Sequence, residues 1–390
     1  MRNLAIIIML AACLLGCGHN TITQQAEPSN QGNLRFERNR LIVSVMLPDS
    51  TAMEFEFDSG CANGHSNIDS ATLVKLQNIA PQDIDTNSQL IQSLIDNQKL
   101  TYRFHINQHT KPLIGLNCKD SLLRWYINIS QGRLEIIPND SVADFSRFEA
   151  IPLRIAYGLL PIVELPITLY KNGKKHHFKR SFLVDTGAPS AFCFTDPDSE
   201  LLSFAESITH CEYDDALTEI FSKQGRQREY INFISDSVAI QSFIVGKASC
   251  GIDIGVRSAR REFGDGVVGM IGMGVLKHFD IVFDYKNQQL LLAPHGIDMP
   301  FYEQAESGLG FKYSKDLRVS FVARGHNAQK AGLKLGDRIE SINGMPREKL
   351  LDVSVMDSLR TLPDNTPLKL KIIRNDKIVE IEYLTLNRLK

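Results

Sequence analysis

The 390-residue sequence predicts a mainly β chain, with two copies of one β module followed by a third, smaller domain. Three observations carry that prediction. Short runs alternate apolar and polar residues, the period of half-buried strands. A strand–turn–strand–Asp pattern near residue 41 returns near residue 162. After Pro294-His295-Gly296 the pattern changes to one that matches neither copy. The composition agrees: 43% hydrophobic and 23% charged residues describe globular material with ample core. With 43 Lys+Arg against 45 Asp+Glu the net charge is -2. That balance lacks the basic excess nucleic acid requires, so no nucleic-acid partner is expected.

The N-terminus reads as a targeting segment. Arg2 supplies a positive charge, and residues 4–15 form an apolar run. The run is too short to span a bilayer, which takes about 20 residues, and fits a secretory h-region. Leu14-Leu15-Gly16-Cys17 resembles a bacterial lipobox. The resemblance implies cleavage before Cys17, a diacylglycerol on its thiol, and an envelope protein held to a membrane by lipid. A plain signal peptide or a buried helix is the alternative. Residues 18–33 are polar and aperiodic, a flexible tether. Of seven Cys, five remain beyond the lipid site: Cys61, Cys118, Cys193, Cys211 and Cys250. No Cys-x-x-Cys or His-Glu-x-x-His spacing occurs, so neither a metal site nor a cofactor is expected.

The internal repeat is the most informative feature. Residues 41–47 read as a strand and Pro48-Asp49-Ser50 as a turn. Residues 53–57 alternate apolar and charged, then run into Asp58-Ser59-Gly60-Cys61. In the second copy, 162–170 is a strand, and Asn172-Gly173 signals a type I′ hairpin. Residues 178–184 return as a strand ending in Asp185-Thr186-Gly187-Ala188. Downstream landmarks recur in order. Pro112-Leu113-Ile114-Gly115-Leu116 precedes strands at 125–129 and 134–137; Gly269-Met270-Ile271-Gly272-Met273 precedes strands at 279–283 and 290–292. Between the landmarks, 70–78 reads as a helix, and 100–106, 229–233 and 243–246 as strands. Tyr102 and Tyr230 are aromatics of such strands.

Two apolar residues, Asp-Ser/Thr-Gly, and later two apolar residues and Gly resemble the retropepsin and pepsin-like aspartic peptidases. The resemblance covers roughly residues 34–295. It implies two acid-protease lobes, 34–140 and 151–296, fused in one chain, each giving one catalytic Asp: Asp58 and Asp185. Two carboxylates about 3 Å apart cannot both ionise, so they share a proton. One can then activate water while the other donates to the scissile carbonyl. The resemblance assigns Ser59 and Thr186 to an interlobe grip, and Gly60 and Gly187 to close approach of the loops. The first copy departs from the family at Cys61 and Asn63, where Ala and Ser are usual, which opens a decayed first lobe as an alternative. Cys61 and Cys118 are either a disulfide beside the site or two reduced small core residues. A substrate-covering flap is expected in each lobe and is not placed; Tyr102 and Tyr230 are either flap residues or simply strand aromatics.

Ser307-Gly308-Leu309-Gly310-Phe311 and the run Ala328 onward, Ala331-Gly332-Leu333-Lys334-Leu335-Gly336-Asp337 through Asn343-Gly344, resemble the PDZ signature. They imply a PDZ domain over 306–390. Its Gly308, Leu309, Gly310 and Phe311 would bind a C-terminal peptide by strand addition. A helix is expected over 352–362 and closing strands at 368–374 and 378–384. The chain thus reads as an envelope-anchored aspartic endopeptidase acting on peptide or protein substrates. The competing readings are a catalytically inactive peptide-binding lipoprotein and a homodimer in which the second lobe alone is active.

Overall fold

The computed structural model describes residues 32–386 except 38, 47–51, 62–64, 69, 80–83, 86–89, 96–97, 107–111, 118–122, 157–158, 208–211, 219–225, 254–265, 302–308, 313–315, 351–354, 356–357 and 360–361. The predicted signal and tether, with Cys17, and also Asn63, Cys118, Cys211 and Gly308, lie outside the described residues.

The first half folds into one eight-stranded sheet. In spatial order its strands are Leu34–Glu37, Arg40–Met46, Ala52–Asp58, Leu113–Gly115, His65–Ile68, Gln98–Ile106, Leu90–Ile95 and Ile84–Asp85. Alternation in Ala52–Asp58 turns Met53, Phe55 and Phe57 into the core and Glu54 outward. The predicted helix forms over Ser70–Ile79. Tyr102 is fully buried, a core aromatic.

The second half repeats the plan strand for strand around its landmarks. Ala52–Asp58 runs parallel to Leu113–Gly115, with Asp58 opposite Gly115. Lys174–Asp185 runs parallel to Val267–Gly272, with Asp185 opposite Gly272. His65–Ile68 lies antiparallel to Leu113–Gly115, as Phe192–Phe194 does to Val267–Gly272. The hairpin between Leu160–Lys171 and Lys174–Asp185 turns at Asn172 and Gly173, both at positive φ, as Asn-Gly predicts. The landmark strand ends at Gly272 and gives way to a short helix, Met273–Leu276.

A five-stranded bridging sheet joins the halves. Its order is Arg133–Pro138, Leu123–Asn128, Phe279–Asp284, Gln289–Pro294 and Glu149–Ala156. Every residue of the middle strand is buried, as expected of a strand covered on both faces. Asp280 caps it, accepting from Ser130 N and Oγ, each at 2.9 Å, and pairing with Arg147. One apolar core runs from Leu34 to Leu292, with Trp125 stacked on Phe57 at 5.6 Å.

A separate core spans Leu317 to Tyr383. Around it lie Leu309–Lys312, Arg318–Ala323, Arg338–Ile342, Pro367–Arg374 and Lys377–Leu384, with short helices Asn327–Lys330 and Arg347–Leu350. The predicted turn at Asn343-Gly344 has both residues at positive φ. Of the helix expected over 352–362, Val355, Ser358 and Leu359 are described as helical. Arg374 grips the buried Asp337 through Nε and Nη2 at 2.8 and 2.6 Å, a bidentate pair. The small domain is also tied to the second half by a ladder. Strand Glu212–Thr218 pairs with Arg318–Ala323, Asp214 opposite Ala323 and Ala216 opposite Phe321.

Candidate active site

Two strands deliver Asp58 and Asp185 at their C-terminal ends, where the chain leaves the sheet. In each turn the carboxylate caps the backbone that follows it, as Asx-turns do. Asp58 Oδ1 accepts from Gly60 N at 2.7 Å and Cys61 N at 3.2 Å. Asp185 Oδ1 accepts from Gly187 N at 2.9 Å and Ala188 N at 3.1 Å. The two turns are therefore alike and locally specified.

They also interlock. Ser59 N donates to Thr186 Oγ1 at 2.8 Å, and Thr186 N donates to Ser59 Oγ at 2.9 Å. Each hydroxyl then donates across the seam: Ser59 Oγ to Val184 O at 2.7 Å, Thr186 Oγ1 to Phe57 O at 3.1 Å. Both side chains are 0% exposed, so each hydroxyl has its donor and acceptor roles filled inside the protein. Breaking this grip would leave buried polar groups unpaired, at about 1–3 kcal/mol for each such group.

The glycines face the opposite carboxyl groups. A Cβ on Gly60 would lie 2.8–2.9 Å from the Asp185 carboxyl, and one on Gly187 would lie 2.4–2.7 Å from that of Asp58. The interlock therefore brings the two acids into hydrogen-bond contact. Burial pushes Asp58 well above the usual carboxylate range, and the neighbouring Asp185 pushes it further, against the pull of the Gly60 and Cys61 amides. Burial also raises Asp185, but the hydrogen bond from Asp58 and the amides of Gly187 and Ala188 hold it down. The two carboxyl groups are thus set to titrate as one pair that shares a proton. Cys61, half-buried beside them, is pushed up to about 12 by burial and then by both carboxylates, so its thiol stays protonated.

The sequence-predicted residues Asp58, Ser59, Gly60, Asp185, Thr186 and Gly187 thus come together at one seam. Leu309, Gly310 and Phe311 belong to the strand at the separate small core. Two buried polar residues behind the second turn, Asn39 and Lys277, escape a reading of motifs. The one signal for Lys277 is a cation directly after the uncharged run from Ile271 to Leu276.

A family model described as PDZ domain matches residues 299–373. No curated protein matches the chain. Among solved structures, the crystal structure of aspartic proteinase from Irpex lacteus is similar over 68% of this chain and 97% of that one, at 11% identity and a TM-score of 0.38. The chain is mainly β, and its C-terminal part is a PDZ domain.

Proposed function

We propose that the chain is an aspartic endopeptidase, its dyad formed by Asp58 and Asp185 from two retropepsin-like lobes fused in one chain. The observation that carries this reading is the reciprocal Ser59–Thr186 interlock, which sets two half-buried carboxyl groups against each other within hydrogen-bond reach. In the proposed reaction one carboxylate of the pair takes a proton from a water that attacks the scissile carbonyl carbon. The other carboxyl group gives its proton to the carbonyl oxygen, leaving a neutral tetrahedral diol. Collapse of the diol, with a proton passed to the amide nitrogen, breaks the C–N bond and frees acid and amine. The PDZ domain would bind peptide by strand addition and so select substrate or partner.

Activity needs one proton on the pair. It should fall at low pH as the pair gains a second proton, and at higher pH as it loses the shared one. Peptide hydrolysis by the full chain should therefore trace a bell with its maximum at mildly acidic pH. It should be blocked by a peptide mimic bearing a hydroxyl in place of the scissile carbonyl. A wild type that cleaves no peptide at any pH would favour the inactive, peptide-binding alternative.

The proposed location is the bacterial envelope, through lipid on Cys17. Cys17→Ser should move the protein from the detergent phase to the aqueous phase, or leave it unprocessed. Partitioning unchanged by the substitution removes the anchor.

A further inference from the structure

Behind the Asp185 turn, four consecutive carbonyls each accept a hydrogen bond. Three donors are backbone amides of one segment: Met273 N to Ala188 O at 2.8 Å, Gly274 N to Ser190 O at 3.1 Å and Gly272 N to Ala191 O at 2.9 Å. The fourth comes from the other half of the chain. Asn39 Nδ2 donates to Pro189 O at 2.8 Å. Asn39 is 3% exposed and sits at φ +59° in the turn between Leu34–Glu37 and Arg40–Met46.

The other end of the Asn39 amide accepts from Lys277 Nζ at 3.1 Å. Lys277, 1% exposed, also donates to Pro300 O at 2.5 Å, at the start of the PDZ match. A lysine nitrogen facing Oδ1 can only donate, and a carbonyl facing Nδ2 can only accept. Both neighbours therefore demand the same orientation of the Asn39 amide. Burial also pulls the Lys277 ammonium down to about 8, so keeping a charge here works against stability. It remains protonated in the mildly acidic range where the dyad would act. A buried cation retained at a cost, aimed at an amide that holds the turn of Asp185, points to a role beyond packing.

We propose that Asn39 and Lys277 are positioning residues that register the Asp185 turn against the first half and so set the approach of the two carboxyl groups. This rests on the dyad reading above. Lys277 orients Asn39, Asn39 holds Pro189, and Pro189 lies four residues beyond Asp185. Neither residue touches the reacting atoms. Pro300 O shares the same ammonium, so the lead-in to the PDZ domain bears on the same relay.

The test uses the full chain carrying Asn39→Asp, Asn39→Gly or Lys277→Met, each checked for folding by circular dichroism. Asn39→Asp keeps the shape and the bond from Lys277 but sets an acceptor against Pro189 O. Asn39→Gly removes the side chain while tolerating the positive φ. On a peptide cleaved by wild type, kcat should fall between about tenfold and a hundredfold in each variant. KM should stay within about twofold, the mark of an interaction needed only in the transition state. Affinity for the hydroxyl-bearing mimic should weaken by the same factor as kcat. A role in filling space would spare Asn39→Asp, so that variant decides even if Lys277→Met fails to fold. Folded variants with wild-type kcat overturn the proposal. If wild type cleaves nothing, the peptidase reading fails separately, and carboxyl NMR titration still decides positioning. Asn39→Asp should return Asp58 toward the ordinary carboxylate range, and an unchanged titration overturns the relay.

Discussion

Asp58→Asn and Asp185→Asn each lower kcat on a cleaved peptide by a factor on the order of 10³ to 10⁴, the upper range for removing a positioned acid or base. Asn keeps the shape and can still accept from the turn amides, but it cannot exchange the shared proton. The double variant should be no worse than either single one, because the two acids act as a unit. Stability should move the other way for Asp58→Asn. A carboxyl group whose folded pKa lies above its unfolded value contributes stability that is present at low pH. That contribution is lost as pH rises through the folded pKa. Asp58 is such a group. Its replacement should therefore raise the melting temperature at pH 7 more than at pH 4, and thermal scans at both values measure this. Full activity in Asp58→Asn would exclude the fused dyad and favour a homodimer of the second half. A melting temperature unmoved at pH 7 would mean that Asp58 is not held neutral by burial.

Gly187→Ala is the second large effect. The added methyl would lie 2.4 Å from Asp58 Cγ, closer than any ordinary carbon contact, so the turn or the carboxyl group must shift. Overpacking of this kind costs about 1–3 kcal/mol. Displacing one acid of a pair by a fraction of an ångström to an ångström should cost about a hundredfold in kcat. Gly173→Ala is the matched control. Gly173 sits at φ +73° in the hairpin turn with nothing within 4 Å of a Cβ. An alanine there is strained by about 1–2 kcal/mol but leaves the seam untouched, so melting should drop while kcat holds. Loss of kcat in Gly173→Ala, or its retention in Gly187→Ala, would break the link between the glycine contact and the chemistry.

Much of this architecture is legible in the residues, and what is not has a physical reason. The run at 178–184 alternates only at its start and ends buried at Phe182, Leu183 and Val184. Alternation at 53–57 marks a strand because one face is buried and the other more exposed, a local property that a sequence records directly. Asn172-Gly173 and Asn343-Gly344 specify turns for the same reason: positive φ is a demand on single residues. The Asp and Gly landmarks recur in order in the sequence, but the parallel pairing of Asp58 with Gly115 and Asp185 with Gly272 is seen only in the structure. The roles of Ser59 and Thr186 came from family resemblance, since no periodicity says that a hydroxyl will reach a backbone amide 127 positions away. The landmark at 269–273 carries no local sign of a helix in its sequence. It turns helical after Gly272 because the Met273 and Gly274 amides are drawn onto Ala188 O and Ser190 O, a tertiary demand absent from local pattern. Asn39 and Lys277 were missed on the same ground. Their meaning lies in each other, 238 residues apart.

The ladder between Glu212–Thr218 and Arg318–Ala323 bears on how the chain can be divided. A PDZ domain cut free at residue 299 would carry an unsealed edge at Phe321 to Ala323, with bare amides and carbonyls ready to template another strand. The remaining piece would carry the matching bare edge on Glu212–Thr218. Each fragment thus holds the sticky half of a joint that the whole chain closes against itself. In the undivided protein the strand Glu212–Thr218 covers the edge of Arg318–Ala323 and has its own edge covered in return.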